Sequence, residues 1–330
     1  MPGTDPAEAL RIILGELPGL PHLAELPARG PGAQLTGRTA GLLVGLPVEI
    51  TPTGWRFTGR PGRDLSRARD LLASDLDALE EAASGYSGPL KIQICGPWTL
   101  AATIELARSQ DPALADPGAV ADLTESLAEG VRAHLADVGK RVPGGRLLVQ
   151  LDEPSLPAVL AGQVPTASGL NRLPVPEDTD AQAGLAAIIR AARAFTVVHC
   201  CARQVPFGII FGAGADGAGC DLSQLGRAEE DALAEAVEAG LGIFAGVAAA
   251  TGAAPPPARE MAGRVTGLWR RLGWPVARDG AAEGRQGVTG QVVLTPGCGL
   301  AGATPGYARA VLARCREAAA LLPELIEEES

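Results

Sequence analysis

Apolar runs of two lengths alternate along the chain. Short apolar runs bounded by Gly, Pro or Asp predict strands, and longer stretches with apolar residues at helical spacing predict helices. The predicted strands are residues 41–50, 90–95, 146–152, 194–200, 215–222, 241–247 and 291–297. The predicted helices lie near residues 5–16, 63–84, 98–108, 117–140, 180–193, 227–239, 256–272 and 304–320.

This alternation indicates βαβ units and a parallel sheet. About eight such units in a chain of this length are typical of a (β/α)8 TIM barrel, which is the fold class we predict. A doubly wound open sheet is the second possibility, but no G-x-G-x-x-G follows the first strand. We expect a single domain over residues 1–330, with Pro- and Gly-rich loops at 17–33 and 163–177 near the barrel mouth.

Several predicted strands end in residues that carry chemistry. In a barrel the carboxyl ends of the strands share one face, so groups far apart in sequence converge there. The strand ends concerned are Cys95-Gly96-Pro97, Asp152-Glu153-Pro154, His199-Cys200-Cys201, Cys220-Asp221 and Pro296-Gly297-Cys298-Gly299.

His199 and Cys201 are two residues apart, so on an extended strand they share a face and Cys200 points the other way. An imidazole and a thiolate together suit zinc. On this pair alone, a packed histidine beside buried thiols is an equally good interpretation. A redox pair is disfavoured, because the chain has no C-x-x-C and the adjacent cysteines face apart.

Other strand ends supply further ligands. Cys298 lies in TPGCGL, where flanking glycines leave its side chain accessible, and Cys220 or Asp221 provides a fourth donor. Three or four nitrogen, sulphur and oxygen donors on one rim favour a zinc site over simple packing.

Asp152 and Glu153 are two carboxylates that close an apolar strand. Neighbours on a strand face apart, so Asp152 can face the mouth and bind an ammonium group, whereas Glu153 turns toward a helix or loop. The competing interpretation is a solvated turn before Pro154. Trp98 opens the next helix, either as a stacking wall for a bound cofactor or, equally well, as a packed core residue.

Charge and hydropathy exclude some classes of function. The net charge is −10 and no basic block occurs, so nucleic acid is not an expected partner. No run of 18 apolar residues exists, so no membrane span is expected. The first residues lack a basic start and an apolar core, which is not the pattern of a signal peptide, and we expect a cytoplasmic protein. Its 6 cysteines are irregularly spaced, as expected for thiols or ligands rather than disulfides.

The segments VQLDEPSL, HCC, ADGAGCDL and TPGCGL carry a family resemblance. Their order and approximate spacing resemble the C-terminal catalytic barrel of cobalamin-independent methionine synthase, and KIQICGPWTL is similar to that family's K-x-x-x-x-G-P segment. The resemblance covers about residues 20–320, and H-x-C and P-x-CGL are its most specific parts. It implies a zinc-dependent transfer of a methyl group to the thiol of homocysteine, which gives methionine.

The resemblance also implies roles for individual residues. It places the zinc ligands at His199, Cys201, Asp221 and Cys298. Asp221 stands where the family has a glutamate, and Cys220 beside it is a rival ligand. Asp152 falls on a carboxylate that holds the amino group of homocysteine, and Glu25, through a weaker match in HLAELPARG, falls on a second one.

The chain departs from the family in ways that leave the methyl donor open. Family members are usually about twice this length, with an N-terminal barrel that helps to grip a polyglutamylated folate. The family's GS-x-P segment is replaced by MPGTD, so either the true start lies upstream of Met1 or the amino-acid pocket differs. Lysine occurs only at Lys91 and Lys140, which does not suit a polyanionic folate tail. The donor is therefore methyl-folate or a corrinoid carrier.

Two other functions compete with methyl transfer. The first is a zinc-binding relative without turnover, acting as a store, a sensor or a partner-binding protein. The second is the branch of related barrels that decarboxylates porphyrins. That branch needs an arginine-lined pocket, and Arg29 and Arg203 alone do not supply one.

Overall fold

The computed structural model describes residues 1–274 and 288–328. The strands of this part are β1 (Val48–Thr51), β2 (Gly54–Phe57), β3 (Gly88–Cys95), β4 (Ile104–Glu105), β5 (Gly145–Asp152), β6 (Phe195–His199), β7 (Gly217–Asp221), β8 (Gly242–Ala248) and β9 (Val292–Pro296). The helices are α1 (Pro6–Glu16), α2 (Leu35–Ala40), α3 (Arg63–Ala82), α4 (Pro97–Thr103), α5 (Pro117–Arg141), α6 (Leu156–Leu160), α7 (Asp178–Ala192), α8 (Phe207–Gly212), α9 (Arg227–Glu238), α10 (Ala258–Arg271), α11 (Val288–Gln291) and α12 (Pro305–Glu328).

A curled parallel sheet with the order β3-β5-β6-β7-β8-β9 forms the centre of the structure, and helices flank it. The α/β class is therefore confirmed. Long apolar runs such as LLVQL in β5 suit strands of a parallel sheet that is covered by protein. Backbone pairing sets Cys95, Asp152, His199 and Gly219 side by side across four strands. The carboxyl ends of these strands therefore form one continuous rim.

The described residues do not form the closed eight-stranded barrel that the sequence predicts. The first predicted strand, 41–50, overlaps only β1, and β1 pairs antiparallel with β2 in a separate sheet of order β1-β2-β4. The backbone N–H of Ile50 is donated to the Asp64 carboxylate at 3.0 Å, so part of this strand bonds to α3. The physical reason is the hairpin: once β1 folds back onto β2, it cannot extend the parallel sheet.

One further parallel segment borders β3. Lys91 receives a backbone hydrogen bond from Leu23 and donates one to Pro21, each at 2.9 Å. These two bonds make an isolated bridge rather than a strand. In the described part of the chain the sheet is therefore a half-barrel, with this short segment beside one edge and β9 at the other.

The helices bury apolar stripes that the sequence pattern predicts. In α3, for example, Leu65, Leu72, Leu76 and Leu79 recur at helical spacing and are buried. The predicted helix at 98–108 is shorter than expected, because Ile104 and Glu105 pair with β2 as strand β4. Among residues 1–274 and 288–328, no helix combines the length and the apolar character needed to span a bilayer.

Glu153 ties the end of β5 to the start of α4. Its buried carboxylate accepts hydrogen bonds from the backbone N–H of Trp98 at 2.9 Å, and from the backbone N–H and hydroxyl of Thr99 at 2.8 and 2.7 Å. Burial raises the pKa of Glu153 to about 7, against the opposing effect of these bonds. Gly96 leaves room for the contact, since a Cβ there would lie 2.3 Å from Glu153 Oε1.

Replacing Glu153 by alanine should lower the free energy of unfolding by about 3 kcal/mol, because two buried N–H groups lose their acceptor. Urea unfolding followed by circular dichroism measures the change. Asp116→Ala is the matched control, since it removes an exposed cap at the start of α5 and should cost about 1 kcal/mol. Equal losses for the two variants would contradict a special role for the buried cap.

Candidate functional site

A cavity of about 1600 Å³ lies on the inner face of the half-barrel. Near the carboxyl ends of the strands its wall carries Glu25, Asp152, His199, Cys201 and Cys298. Deeper in the sheet its wall is apolar, with Leu20, Leu148, Phe244 and Val293. Ligands of parallel α/β folds bind at this end of the strands, so the polar rim is the candidate site.

Asp152 and His199 form the central pair of the rim. They are register partners on β5 and β6, and His199 donates from Nδ1 to Asp152 Oδ1 at 2.9 Å. Burial alone lowers the pKa of His199, but the hydrogen bond and the charge of Asp152 outweigh it, so the pKa lies above its ordinary value. This bond occupies Nδ1 and leaves Nε2 as the nitrogen available to a ligand.

Cys201 and Cys298 form a second pair, from the segments that follow β6 and β9. Their sulphur atoms lie 3.3 Å apart. This distance is too long for a disulfide, which needs about 2.05 Å. Two thiolates on one tetrahedral zinc would lie about 3.8 Å apart, given a Zn–S distance of about 2.3 Å.

The thiols of this pair differ in acidity. The hydrogen bond that a Cys298 thiolate accepts from Cys201 lowers the pKa of Cys298 to about 6, and the charge of His199 adds to the effect against the opposing burial. The same hydrogen bond, followed by burial, raises the pKa of Cys201. The first proton therefore leaves Cys298, which is also the more exposed of the two.

Asp221 lies on the same side of the sheet as His199. Gly219, two residues before it on β7, faces the imidazole, since a Cβ there would lie 3.0 Å from His199 Cδ2. Asp221 Oδ1 accepts hydrogen bonds from the Ser223 backbone N–H at 2.9 Å and hydroxyl at 2.7 Å. Its Oδ2 faces Gly297, where a Cβ would lie 2.8 Å away. The carboxylate is thus beside the residue that precedes Cys298.

Cys220 points to the opposite face of β7 from Asp221. Its side chain is buried in the hydrophobic core, and burial raises the pKa of the thiol to about 12. A buried, protonated thiol is a poor metal ligand, because metals bind the thiolate. Of the two rivals at this strand end, the geometry favours Asp221.

The side chains at the rim are of the types that bind zinc, but their donor atoms are not arranged as a closed metal site. Imidazole nitrogen, two thiols and a carboxylate are the donors that zinc takes in proteins. Among residues 1–274 and 288–328, however, no three His, Cys, Asp or Glu side chains are already grouped as a metal site. Zinc binding therefore stays a prediction that rests on donor chemistry.

Glu25 lies on the cavity wall, as a residue that touches substrate requires. Its Oε1 is 3.6 Å from the Nε of Arg38. Burial raises the pKa of Glu25, and the positive charge of Arg38 partly opposes that rise. The carboxylate therefore already has one cationic neighbour, which weakens its pull on a substrate ammonium group.

Trp98 lies in the core rather than on the cavity wall. Its side chain is 4% exposed, and its indole N–H donates to the backbone carbonyl of Ala181 at 3.0 Å. A Cβ at Gly184 would lie 3.0 Å from the indole Nε1, so α7 packs closely on the ring. This placement gives no support to the expected stacking role in cofactor binding.

The two predicted loops differ in their relation to the cavity. Residues of 17–33 line it, including Leu17, Leu20 and His22, whereas no described residue of 163–177 does. The two arginines considered for an anionic substrate bond elsewhere, Arg29 to Asp75 and Arg203 to Gln224.

Among the polar side chains on the cavity wall that sequence reasoning missed are Lys91 of β3 and Gln150 of β5. Lys91 Nζ donates to Gln150 Oε1 at 2.7 Å, and Gln150 Nε2 donates to Asp152 Oδ1 at 2.7 Å. The available signal was the alternation of polar and apolar residues along two strands. Polar side chains share one face of β3 at Lys91 and Gln93, and one face of β5 at Gln150 and Asp152.

In the reduced, zinc-free chain, alkylation of Cys298 by iodoacetamide should have a pH midpoint of about 6, well below the value of about 8.5 for a free thiol. The thiolate is the reactive form, so a lowered pKa keeps the rate high as the pH falls from 8 to 7. Cys201→Ala removes the hydrogen-bond donor and should move the midpoint upward. Mass spectrometry of the Cys298 peptide measures the rate, with buried Cys315 as the unreactive control. A midpoint near 8.5 in the native chain would contradict this prediction.

Comparison with known proteins finds similarity among solved structures. No protein-family model and no curated protein matches the chain. Among solved structures, the chain is similar to a B12-independent methionine synthase from Shewanella sp. W3-18-1 in complex with selenomethionine. The TM-score is 0.60 with 12% sequence identity, and the match covers 98% of this chain and 88% of that chain. At this identity the likeness shows a shared fold along nearly the whole chain.

Proposed function

We propose that the chain is a zinc-dependent S-methyltransferase that transfers a methyl group to the thiol of homocysteine or a similar amino-acid thiol. The observation that carries the proposal is the meeting of two pairs, Asp152 with His199 and Cys201 with Cys298, on the rim of one cavity. The family resemblance assigns these same residues to amino-group and zinc binding. The fold shared with a methionine synthase that binds selenomethionine adds support.

Zinc would be held by His199 through Nε2, by Cys201 and Cys298, and by Asp221. Once bound, the ion would favour the thiolate form of an incoming thiol, which is the nucleophile. The chain's own role is to bring the donors to one rim: β6, β7 and β9 each contribute one strand end. Asp221 would offer Oδ2 to the metal, because its Oδ1 already accepts two hydrogen bonds from Ser223.

The substrate's ammonium group would bind Asp152. Its Oδ1 is occupied by His199 and Gln150, and Oδ2 has no hydrogen-bond partner among the described residues. An ammonium group on Oδ2 would make a charge-assisted hydrogen bond and aim the thiol toward the cysteine pair. Glu25, on the same cavity wall, is the second carboxylate available to the ammonium group.

The methyl donor would bind in the part of the cavity that the amino-acid thiol does not fill. A volume of about 1600 Å³ exceeds the roughly 300–1000 Å³ of a typical small-ligand pocket, so two reactants can be accommodated. In the transfer, the thiolate sulphur forms a bond to the methyl carbon as the donor's bond to that carbon breaks, and the donor leaves with the electron pair. Methyl-folate and a methyl-corrinoid carrier are both compatible with this step.

The metal is the first thing to test. Protein purified without a chelating tag should contain about one zinc per chain, measured by mass spectrometry of the metal. Cys298→Ser should lose most of it, because a neutral hydroxyl replaces a thiolate ligand. Cys315→Ser, at a buried cysteine of α12, is the control and should keep its zinc. No zinc in the native chain after reconstitution under reducing conditions would remove the chemical basis of the proposal.

Asp152→Asn separates amino-group binding from metal binding. The asparagine Oδ1 can still accept from His199 and Gln150, but an NH₂ group replaces Oδ2, so the ammonium group loses its acceptor. Homocysteine binding, measured by calorimetry on the zinc protein, should weaken by roughly tenfold or more, while zinc content stays the same. A homocysteine analogue without the amino group should bind the two proteins equally. Loss of zinc in this variant would contradict the assigned role.

A zinc-binding protein without turnover is the second candidate. It is favoured by one observation: Asp221, which stands where the family has the longer glutamate, already accepts two hydrogen bonds from Ser223. The two functions differ in what happens at the metal. X-ray absorption of the zinc protein should report a new sulphur ligand with homocysteine and no change with serine if the chain activates thiols.

A further inference from the structure

We propose that Lys91 and Gln150 are positioning residues that orient the Asp152 carboxylate, so that Oδ1 holds His199 while Oδ2 is left to the substrate. The inference rests on the proposed function, because it assigns what these two side chains do for a site that binds zinc and an amino-acid thiol. It adds a chain of contacts that runs from the inside of the half-barrel up to the rim.

Three hydrogen bonds join these groups in succession. Lys91 Nζ donates to Gln150 Oε1 at 2.7 Å, Gln150 Nε2 donates to Asp152 Oδ1 at 2.7 Å, and His199 Nδ1 donates to the same oxygen at 2.9 Å. Lys91 lies on β3, Gln150 and Asp152 on β5, and His199 at the end of β6. All four side chains line the cavity. The three hydrogen bonds, here called the relay, therefore lie on the inner face of the sheet.

The direction of the relay follows from its first member. A lysine ammonium group has donors only, so the group of Gln150 that faces Lys91 must be the carbonyl oxygen. The NH₂ group of Gln150 is thereby aimed at Asp152, where it can only donate. Two donors then converge on Oδ1, which sets the rotation of the carboxylate. Asp152 can only accept from His199, which puts the proton of the neutral imidazole on Nδ1 and leaves Nε2 for a metal.

The position of Lys91 argues against a purely structural role. It is one of only two lysines in the chain, and its half-buried side chain lies on the cavity wall with its ammonium group on Gln150. Burying a charge costs free energy, and a methionine would fill the same space without that cost. Replacing Lys91 by methionine should therefore leave the fold at least as stable, while it removes the group that orients Gln150.

The histidine ring reports directly on the relay. The chain contains 3 histidines, so nitrogen NMR of protein labelled in histidine resolves His199, which a His199→Gln variant assigns. In the reduced zinc-free chain above pH 8, the native ring should show its proton on Nδ1. In Lys91→Met and Gln150→Leu, the ring should move toward a mixture of the two tautomers, and the zinc dissociation constant should rise roughly tenfold. Lys91→Arg, which keeps a donor, should restore most of both properties.

Gln93→Leu is the matched control. Gln93 is the register partner of Gln150 on β3, but its amide contacts His22 Nδ1 and the carbonyl of Leu23. This variant should change the signal of His22 and leave that of His199 as it is in the native chain.

The outcomes separate this inference from the proposed function. If the His199 signal and the zinc affinity are native in both relay variants, the relay is wrong, although zinc and homocysteine binding by the native chain would still support the proposed function. If the relay variants lose stability to urea and show no tautomer change, Lys91 and Gln150 are structural only, and the inference is overturned. If the native chain binds no zinc but His199 responds to both substitutions, the relay stands and the proposed function fails.

Discussion

The parallel pairing of β5 with β6 is the constraint on which the rim of the cavity depends. The pairing of the two strands alone places Asp152 opposite His199. The hydrogen bond between these side chains then fixes the orientation of the His199 imidazole ring. A one-residue slip of β6 against β5 would turn the side chain of His199 to the other face of the sheet, away from Asp152. Because β3 and β7 continue the same register on either side, Lys91, Gln150 and the Asp221 strand end also depend on it.

The inner face of the half-barrel divides into two environments. Near the rim, carboxylates, an imidazole and two thiols share the cavity with the ammonium group of Lys91. Deeper in, Leu148, Phe244 and Val293 make an apolar wall. The apolar wall excludes water from one side of the polar groups, which strengthens their electrostatic interactions. Burial disfavours the charged form of each group, so it raises the pKa of the acid Glu25 and lowers the pKa of the base Lys91.

Neighbouring residues at the strand ends have different roles, because successive side chains of a strand point to opposite faces of the sheet. Asp152 faces the cavity, whereas Glu153 turns back to cap α4. Asp221 lies on the side of His199, whereas Cys220 packs in the core. In each of the pairs Asp152-Glu153 and Cys220-Asp221, the aspartate thus belongs to the candidate site. Its neighbour contributes to the packing of the sheet or the core.

The amino-acid pattern by itself determined the parallel sheet and the strand ends that carry chemistry. Runs such as LLVQLD and FTVVH are short, apolar and closed by polar groups, and such local features survive in the folded chain. Alternation along each strand also separated His199 and Cys201 from Cys200. The tertiary structure decided the rest: that residues 48–51 fold into a hairpin, that Trp98 packs under α7, and that Lys91 reaches Asp152 through Gln150. These outcomes depend on which distant segments meet, and a local pattern of apolar and polar residues does not encode the partners of a buried side chain.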